Sequence, residues 1–204
     1  MKRTVIAGFA AGAAMMIGGA LGAVSPGMIS GAPKPLLDSS AGVMNPMVAG
    51  QAMLASRSAM ENIAASPDHT ALAAALAKSG IGDALKGEGQ FTVFAPSNLA
   101  LGDTAGKSQA QLARAMGYLV VPGKYDSQTL LKVIGEGGGE ARLKTVQGGV
   151  LLAKMNGPTN IILMDEKGRT ADIAIYDVYD RNGVMHVVDR MLEPGAVTHQ
   201  VASN

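Results

Sequence analysis

The chain has 204 residues, with 17 basic and 16 acidic side chains, three histidines, 3% aromatic residues, and neither cysteine nor tryptophan. This balanced charge excludes the strongly basic surface that binds nucleic acid, and the lack of cysteine excludes disulfides and a lipid-modified cysteine anchor. A chain of this length predicts one folded domain whose core is aliphatic and methionine-rich.

The first 23 residues have the pattern of a secretory signal peptide. Lys2 and Arg3 precede an apolar run of small residues at 4–23, and the last four of these suit a cleavage site. A retained membrane anchor is the alternative, although a stretch rich in Gly and Ala inserts less favourably than a Leu-rich one. Cleavage leaves 15 basic against 16 acidic residues, a net charge of −1 with neutral histidines. The sequence therefore predicts a periplasmic or secreted protein that contacts the membrane only through an uncleaved signal segment.

Residues 24–46 form a stretch rich in Pro and Gly without periodicity, which predicts an extended linker. The folded domain is expected at residues 47–196, followed by a short C-terminal tail at 197–204. Apolar spacing and capping residues predict helices in the first half of the domain. These are a helix at 52–65, a helix at 67–79 with Ser66 as N-cap, a turn capped by Ser97 or Asn98, a helix to residue 116 capped by Ser108, and a helix to residue 134 capped by Ser127.

Strand-like patterns dominate the second half of the domain. Short β-rich segments at 90–95 and 118–121 lie among the helices, and period-two alternation begins at residue 140. Turn residues divide the later region into five predicted strands, at 141–146, 150–155, 160–164, 170–178 and 184–192. Five strands joined by short turns predict an antiparallel meander or sandwich that the preceding helices cover on one side. The predicted fold class is therefore α+β.

The segment from Asn182 to Pro194 carries two polar residues, His186 and Asp189, in an otherwise apolar strand pattern. Burying either side chain is costly unless it is hydrogen-bonded, so each is expected to have a fixed partner. The segment itself is expected to be a central strand. Because side chains alternate between the two faces of a strand, His186 and Asp189 are not expected to pair with each other.

Several segments together resemble the fasciclin domain, in its bacterial secreted single-domain branch. Residues 91–98, with the sequence FTVFAPSN, look like the first signature block of that family. Residues 182–194 look like the second block, with Gly-Val-x-His-Val-x-Asp and a terminal Pro, and residues 118–125 match the central strand and turn. Two departures are Leu119, where the family commonly has His after Tyr, and Leu99, where it usually has an acidic residue.

The resemblance implies a wedge-shaped β-sandwich with a helical layer, used for adhesion or binding rather than catalysis. The implied partner is a cell-surface or matrix glycan or protein, and no cofactor is implied. The motif residues are expected to be structural, four of them (Thr92, Asn98, His186 and Asp189) through hydrogen bonds. The full set is Thr92, Phe94, Pro96, Asn98, Tyr118, His186, Asp189 and Pro194. The binding surface is expected along edges formed by residues 92–98, 118–125 and 184–192.

Other functions have less support from the residues. His69, His186 and His199 show no ligand spacing, so no metal site is predicted, and methionines that could bind Cu(I) more often fill a core. Ser97, His69 and Asp189 could form a hydrolase triad, but no Gly-x-Ser-x-Gly elbow is present, so no catalytic residue is predicted. The remaining alternative is a periplasmic protein that binds a small ligand or a metal in a pocket between sheet and helices.

Overall fold

The computed structural model describes residues 44–87 and 89–195. The predicted signal peptide, nearly all of the predicted linker and the predicted tail at 197–204 lie outside the described residues. Within the described ranges, no helix is both long and apolar enough to cross a membrane.

A mixed seven-stranded sheet forms the centre of the fold, and a two-stranded ribbon lies before it in the chain. The ribbon pairs β1 (Met47–Val48) with β2 (Gln51–Ala52). The sheet contains β3 (Phe91–Pro96), β4 (Val120–Pro122), β5 (Glu140–Lys144), β6 (Val150–Asn156), β7 (Asn160–Met164), β8 (Thr170–Asp180) and β9 (Gly183–Val188). The spatial order is β4-β3-β9-β8-β7-β6-β5, in which β3 and β9 are parallel and the other neighbours antiparallel.

The predicted meander is confirmed, because each strand from β5 to β9 pairs antiparallel with the next. Strand β8 is longer than predicted and ends at Asp180, whereas β9 ends at Val188 instead of residue 192. The Asp189 N–H still donates to the Asp172 carbonyl at 3.1 Å, and farther on the Glu193 N–H donates to the Asp165 carboxylate at 3.0 Å, in the turn between β7 and β8. At Glu193 the backbone therefore bonds to a side chain, where the apolar pattern leading up to it predicted strand pairing to residue 192.

Irregularities in β8 let the sheet curl. The register shifts between Ile173 and Ile175 and again between Ile175 and Val178, which bends the strand. The two ends of the sheet then meet, since the Val146 N–H donates to the Val120 carbonyl at 2.8 Å. The segment after β5 therefore bonds to the edge strand β4, and the sheet returns toward its own other end.

The helices of the described residues precede β5 in the chain, which confirms the α+β class. They are α1 (Ala59–Ala65), α2 (Thr70–Ser79), α3 (Ile81–Ala84), α4 (Asn98–Leu101), α5 (Gln109–Tyr118) and α6 (Ser127–Glu136), with a 3-10 turn at Pro67–His69. Helices α2 and α5 pack against each other, and α6 packs on β5 and β6.

Helix α1 is shorter than the predicted helix at 52–65. Ser58 and Glu61 form a capping box, in which the Ser58 side chain accepts from the Glu61 N–H and the Glu61 carboxylate accepts from the Ser58 N–H at 2.7 Å. This cap fixes the start of the helix at Ala59, and residues 51–52 belong to the ribbon instead. The predicted caps Ser97 and Ser108 are confirmed, because each accepts a backbone hydrogen bond from the first turn that follows.

Two other predicted caps are wrong. The Ser66 side chain makes no capping bond, because its Oγ lies 2.8 Å from Nδ1 of His69, and a 3-10 turn precedes α2. Helix α6 is capped by Asp126, which accepts from the Thr129 N–H at 2.9 Å, one residue before the predicted Ser127. In both cases serine is a residue type that favours the N-cap position, but its side chain bonds to another residue, Ser66 to His69 and Ser127 to Asp177.

The core is aliphatic and methionine-rich, as the composition predicted. Met116 and Met185 have no exposed surface, and Met53 is also buried. Phe94 and Tyr118 are the largest fully buried side chains of the described residues. Aliphatic packing with few aromatic anchors is therefore sufficient to form this core.

Candidate functional site

His186 lies in the middle of β9 and has no exposed surface. Its Nδ1 accepts from the Asp177 N–H at 3.3 Å, so the proton sits on Nε2, which donates to the Tyr125 carbonyl at 2.8 Å. Burial lowers the pKa of the imidazole below its usual range. The geometry therefore holds a neutral histidine, and no ligand reaches the ring without displacing the strands around it.

Two aromatic side chains enclose the same imidazole. Phe94 and His186 occupy paired positions on the parallel strands β3 and β9, and their rings stack with centroids 5.7 Å apart. Tyr176 on β8 meets the imidazole edge-on at 6.0 Å. The histidine thus packs against both neighbouring strands, which is the contact pattern of a core residue.

Residues 123–127, which lead from β4 to the first residue of α6, are the anchor segment, and side chains of several strands are hydrogen-bonded to them. The Thr92 hydroxyl donates to the Gly123 carbonyl at 2.7 Å and accepts from the Tyr125 N–H at 2.8 Å. The Asp177 carboxylate accepts from the Ser127 N–H at 2.7 Å and from the Ser127 hydroxyl at 2.5 Å. Asp177 has a left-handed φ of 58°, a conformation that Asp tolerates better than most residues. In this conformation its carboxylate points toward the start of α6.

Asn98 joins the end of β3 to the start of α2. Its Oδ1 accepts from the Ala71 N–H at 2.9 Å, and its Nδ2 donates to the Pro67 carbonyl at 3.1 Å and to the Thr70 hydroxyl at 3.2 Å. A free N–H in the first turn of α2 is therefore satisfied by a side chain from another element. His69, at the N-cap position of that helix, makes no side-chain capping bond.

Tyr118 and Asp189 also have defined partners. The Tyr118 hydroxyl donates to the Val150 carbonyl at 2.8 Å and accepts from the Glu166 N–H at 3.2 Å, and burial raises the pKa of the phenol to about 12. Asp189 is exposed, and its Oδ1 accepts from the Asp172 N–H at 2.8 Å, which continues the contact of β8 with the end of β9. The expectation of a hydrogen-bonded partner therefore holds for Asp189, although its side chain is not buried.

The prediction that residues 182–194 contain a central strand is confirmed, and the expectation that residues 92–98 and 184–192 lie at edges is wrong for β3 and β9. Residues 118–125, the third expected edge, contain β4, which lies at one end of the strand order. Strand β3 pairs with β4 on one side and β9 on the other, and β9 pairs with β3 and β8. Both strands are interior, every residue of β9 is buried, and Pro96 is buried opposite Val188. The parallel insertion of β9 beside β3, which no local pattern predicted, is the reason. Exposed apolar surface at this end lies instead on Leu99, which is 93% exposed.

The residues of the hypothetical hydrolase triad have separate partners. Ser97 caps α4 by accepting from the Ala100 N–H at 3.3 Å, and Asp189 accepts from β8. His69 is fully buried against Ser66, and burial lowers the pKa of its imidazole. No hydrogen bond of the described residues joins Ser97, His69 and Asp189 to one another. In the same ranges, no group of three or more His, Cys, Asp and Glu residues is arranged to hold a metal ion, and His199 lies outside them.

Two surface cavities of about 300 Å³ each are present in the described part of the chain. One lies between α6 and β5, beside Tyr125. The other, called the cationic cavity, is lined by Lys107, Gln111, Arg114, Ala115, Lys167, Glu193 and Pro194. Sequence reasoning identified only Pro194 among these residues. The others come from the loop before α5, from α5, from the β7–β8 turn and, for Glu193, from the segment after β9, and no spacing in the sequence connects them.

Lys167 and Glu193 form an ion pair at 2.8 Å at the rim of the cationic cavity, and Arg169 contacts the same carboxylate at 3.2 Å. The hydrogen bond from Lys167 lowers the pKa of Glu193. Arg114 donates to the carbonyl of Gly195, and its Nε is buried without a partner among the described residues. The cavity therefore contains cationic groups beyond those that Glu193 neutralises.

Comparison with known proteins gives one consistent result. The family model of the fasciclin domain matches residues 67–194, which is more than half of the chain and includes all eight predicted motif residues. Among solved structures, the chain is similar to a FAS1 domain pair from the insect cell adhesion molecule fasciclin I, with 16% sequence identity and a TM-score of 0.55. The match covers 67% of this chain and 50% of that chain, so this chain spans half the length of that relative. At this identity the likeness shows a shared fold.

Proposed function

Because the chain belongs to the fasciclin domain family, we propose that it is a secreted or periplasmic, non-catalytic binding module that mediates adhesion of the cell to a surface or matrix. The observation that carries this proposal is the family match over residues 67–194. The partner is a cell-surface or matrix glycan or protein, bound by surface complementarity with no bond made or broken. The shared fold with a domain pair of an insect cell adhesion molecule supports the same class of function.

The described side chains support a non-catalytic role. Catalysis by nucleophilic attack needs a nucleophile and a base within hydrogen-bonding reach in an accessible site. Ser66 and His69 are close enough, but both are buried, and Ser97 is occupied as a helix cap. Because the reactive groups are separated or enclosed, binding fits this domain better than turnover.

The motif residues are proposed to maintain the fold rather than to contact the partner. Thr92, His186 and Asn98 have internal hydrogen bonds, and Phe94 and Tyr118 are fully buried. An adhesive contact through the residue after Tyr118 is also disfavoured, because Leu119 stands there and is buried. The partner is therefore expected to contact residues outside the motif, and one domain gives stable adhesion only when several copies act together.

The test is attachment of the producing cells to a surface with and without the gene, together with an intact-mass spectrum of the protein from the same culture. Reduced attachment on deletion, restored by the gene, and a mass that corresponds to cleavage after residue 23 are the expected results. A mature protein in the periplasm or medium with unchanged attachment would refute adhesion. Retention of residues 1–23 would refute only the proposed cleavage.

A further inference from the structure

Basic side chains outnumber acidic ones in the lining of the cationic cavity. Its lining contains three cations, Lys107, Arg114 and Lys167, and one acid, Glu193. Lys167 and Arg169 already pair with that acid. Lys107 helps to lower the pKa of Glu193 from a distance, but neither Lys107 nor Arg114 forms an ion pair with a carboxylate of the described ranges. Both cations can therefore contact a ligand directly.

Arg114 is held in position without being neutralised. Its guanidinium donates to the backbone carbonyl of Gly195, and the Gly195 N–H donates in turn to the Glu166 carboxylate at 2.7 Å. Glu166 also accepts from the Val150 N–H at 3.0 Å. Both oxygens of this acid therefore bond to the backbone beside the cavity, and no ion pair of the described residues joins it to Arg114. Arginine presents donors in a planar fork that matches a carboxylate.

The unused polar groups of the lining are donors. Gln111 accepts the Ser108 N–H with its Oε1 at 2.8 Å, so its Nε2 remains available to donate. The side chains of Lys107 and Arg114 have no acceptor atoms. A ligand for this surface therefore has to supply acceptors and negative charge, and a neutral or cationic ligand would leave the cations unpaired.

Only two residues of the cavity lining are apolar in type. Ala115 and Pro194 are the apolar residues, and no aromatic side chain contributes. Protein partners are usually held by large apolar or aromatic anchors that fill a pocket, and this lining has no large apolar or aromatic side chain to pack against such an anchor. Its volume of about 300 Å³ suits a compact, hydrophilic, acidic group. A carboxylated sugar ring has these properties.

We infer that the cationic cavity binds the carboxylate of an acidic polysaccharide, with Arg114 and Lys107 contacting the anion and Gln111 donating to a neighbouring oxygen. This inference rests on the proposed function and narrows its partner to a carboxylated glycan. A polysaccharide repeats the same group many times, so many weak sites on a cell surface bind it together.

The experiment is isothermal titration calorimetry of the purified chain with an oligogalacturonate. The methyl ester of the same oligosaccharide is the matched ligand control, because it removes the charge and keeps the sugar chain. Lys107→Gln and Arg114→Gln are the test variants. Lys144→Gln is the control variant, since it makes the same charge change on an exposed residue of β5. Melting curves of all variants check that they fold. Lys107→Gln is the test variant that removes no hydrogen bond or ion pair of the described residues.

Binding of the free acid at least tenfold tighter than of its ester is expected, together with at least tenfold weakening in Lys107→Gln and in Arg114→Gln and no change in Lys144→Gln. Because the contact is ionic, affinity is also expected to fall with added salt. No binding, equal binding of the ester, or unchanged affinity in the folded Lys107→Gln variant would overturn the inference. Tighter binding of a poly-glutamate peptide of equal charge would overturn the choice of a glycan.

The attachment assay separates this inference from the proposed function. If a gene encoding Lys107→Gln restores attachment as well as the wild-type gene does, adhesion stands and the cavity is not its site. If the purified chain binds the acid selectively but deletion leaves attachment unchanged, the ligand assignment stands and adhesion is refuted.

Discussion

Replacing His186 by Ala tests whether the histidine of the second block maintains the fold. The change leaves the Asp177 N–H and the Tyr125 carbonyl without their partner in the interior. Each buried polar group left unsatisfied costs about 1–3 kcal/mol, and the space vacated beside Phe94 adds to this. A loss of about 3–5 kcal/mol in the free energy of unfolding is therefore expected. In a domain of this size that corresponds to a fall in the melting temperature of roughly 10 °C.

The assay for His186→Ala is thermal and urea denaturation followed by circular dichroism at pH 7.5, with Lys144→Gln as control. A pH series adds a second measurement. Burial lowers the pKa of His186 in the fold below the ordinary histidine value of 6.5, so its contribution to stability is complete above pH 6.5 and is lost as the pH falls below that value. The wild type should therefore lose more stability than His186→Ala on acidification. An unchanged melting temperature with abolished attachment would refute the structural role and make His186 a contact residue.

Three further predictions test other features of the fold. Asn98→Ala removes the acceptor for the Ala71 N–H and should cost about 1–2 kcal/mol by urea denaturation; a cost near zero would contradict the bridging role. Gly183→Ala places a Cβ 1.8 Å from the Phe91 carbonyl oxygen and should prevent folding, whereas Gly135→Ala, with nothing within 4 Å, should melt as the wild type or higher; similar melting curves for the two would refute the close approach. Burial raises the pKa of Asp180 to about 7, so wild-type stability should fall as the pH rises from about 4 to 7, and Asp180→Asn should be flatter and more stable at pH 8; the same slope in both proteins would contradict this.

Local chemistry explains which parts of the fold the sequence predicts. The meander from β5 to β9 follows from alternation and turn residues that lie next to each other in the chain. The pairing of β3 with β9 joins segments about ninety residues apart in the chain. It requires a glycine at position 183, because a side chain there would collide with the backbone of Phe91. A glycine in a strand pattern does not indicate which strand it approaches. Capping by Asp126 in place of Ser127 was missed for a related reason, since the Ser127 hydroxyl is bonded to Asp177 on a distant strand.

The candidate binding surface is harder to predict than the fold. Lys107, Arg114 and Lys167 lie at unrelated spacings, and each resembles an ordinary solvated surface residue in the sequence. Their juxtaposition depends on the ending of β9 at Val188, because residues 189–194 then turn toward the β7–β8 loop. The apolar pattern predicted a strand to residue 192. Because of that error, the sequence did not predict that residues 189–194 lie beside the β7–β8 loop, and the cavity was missed.

Residues of both motif blocks form hydrogen bonds with the anchor segment at 123–127. Thr92 from the first block and His186 from the second both bond to Tyr125, and Asp177 on β8 bonds to Ser127. The segment begins α6, which packs on β5, and the residues after β5 bond back to β4. The blocks therefore fix the point at which the curled sheet and its helix meet. Since their polar groups are already hydrogen-bonded inside the domain, partner contacts have to come from residues outside them, such as Lys107 and those around it in the cationic cavity.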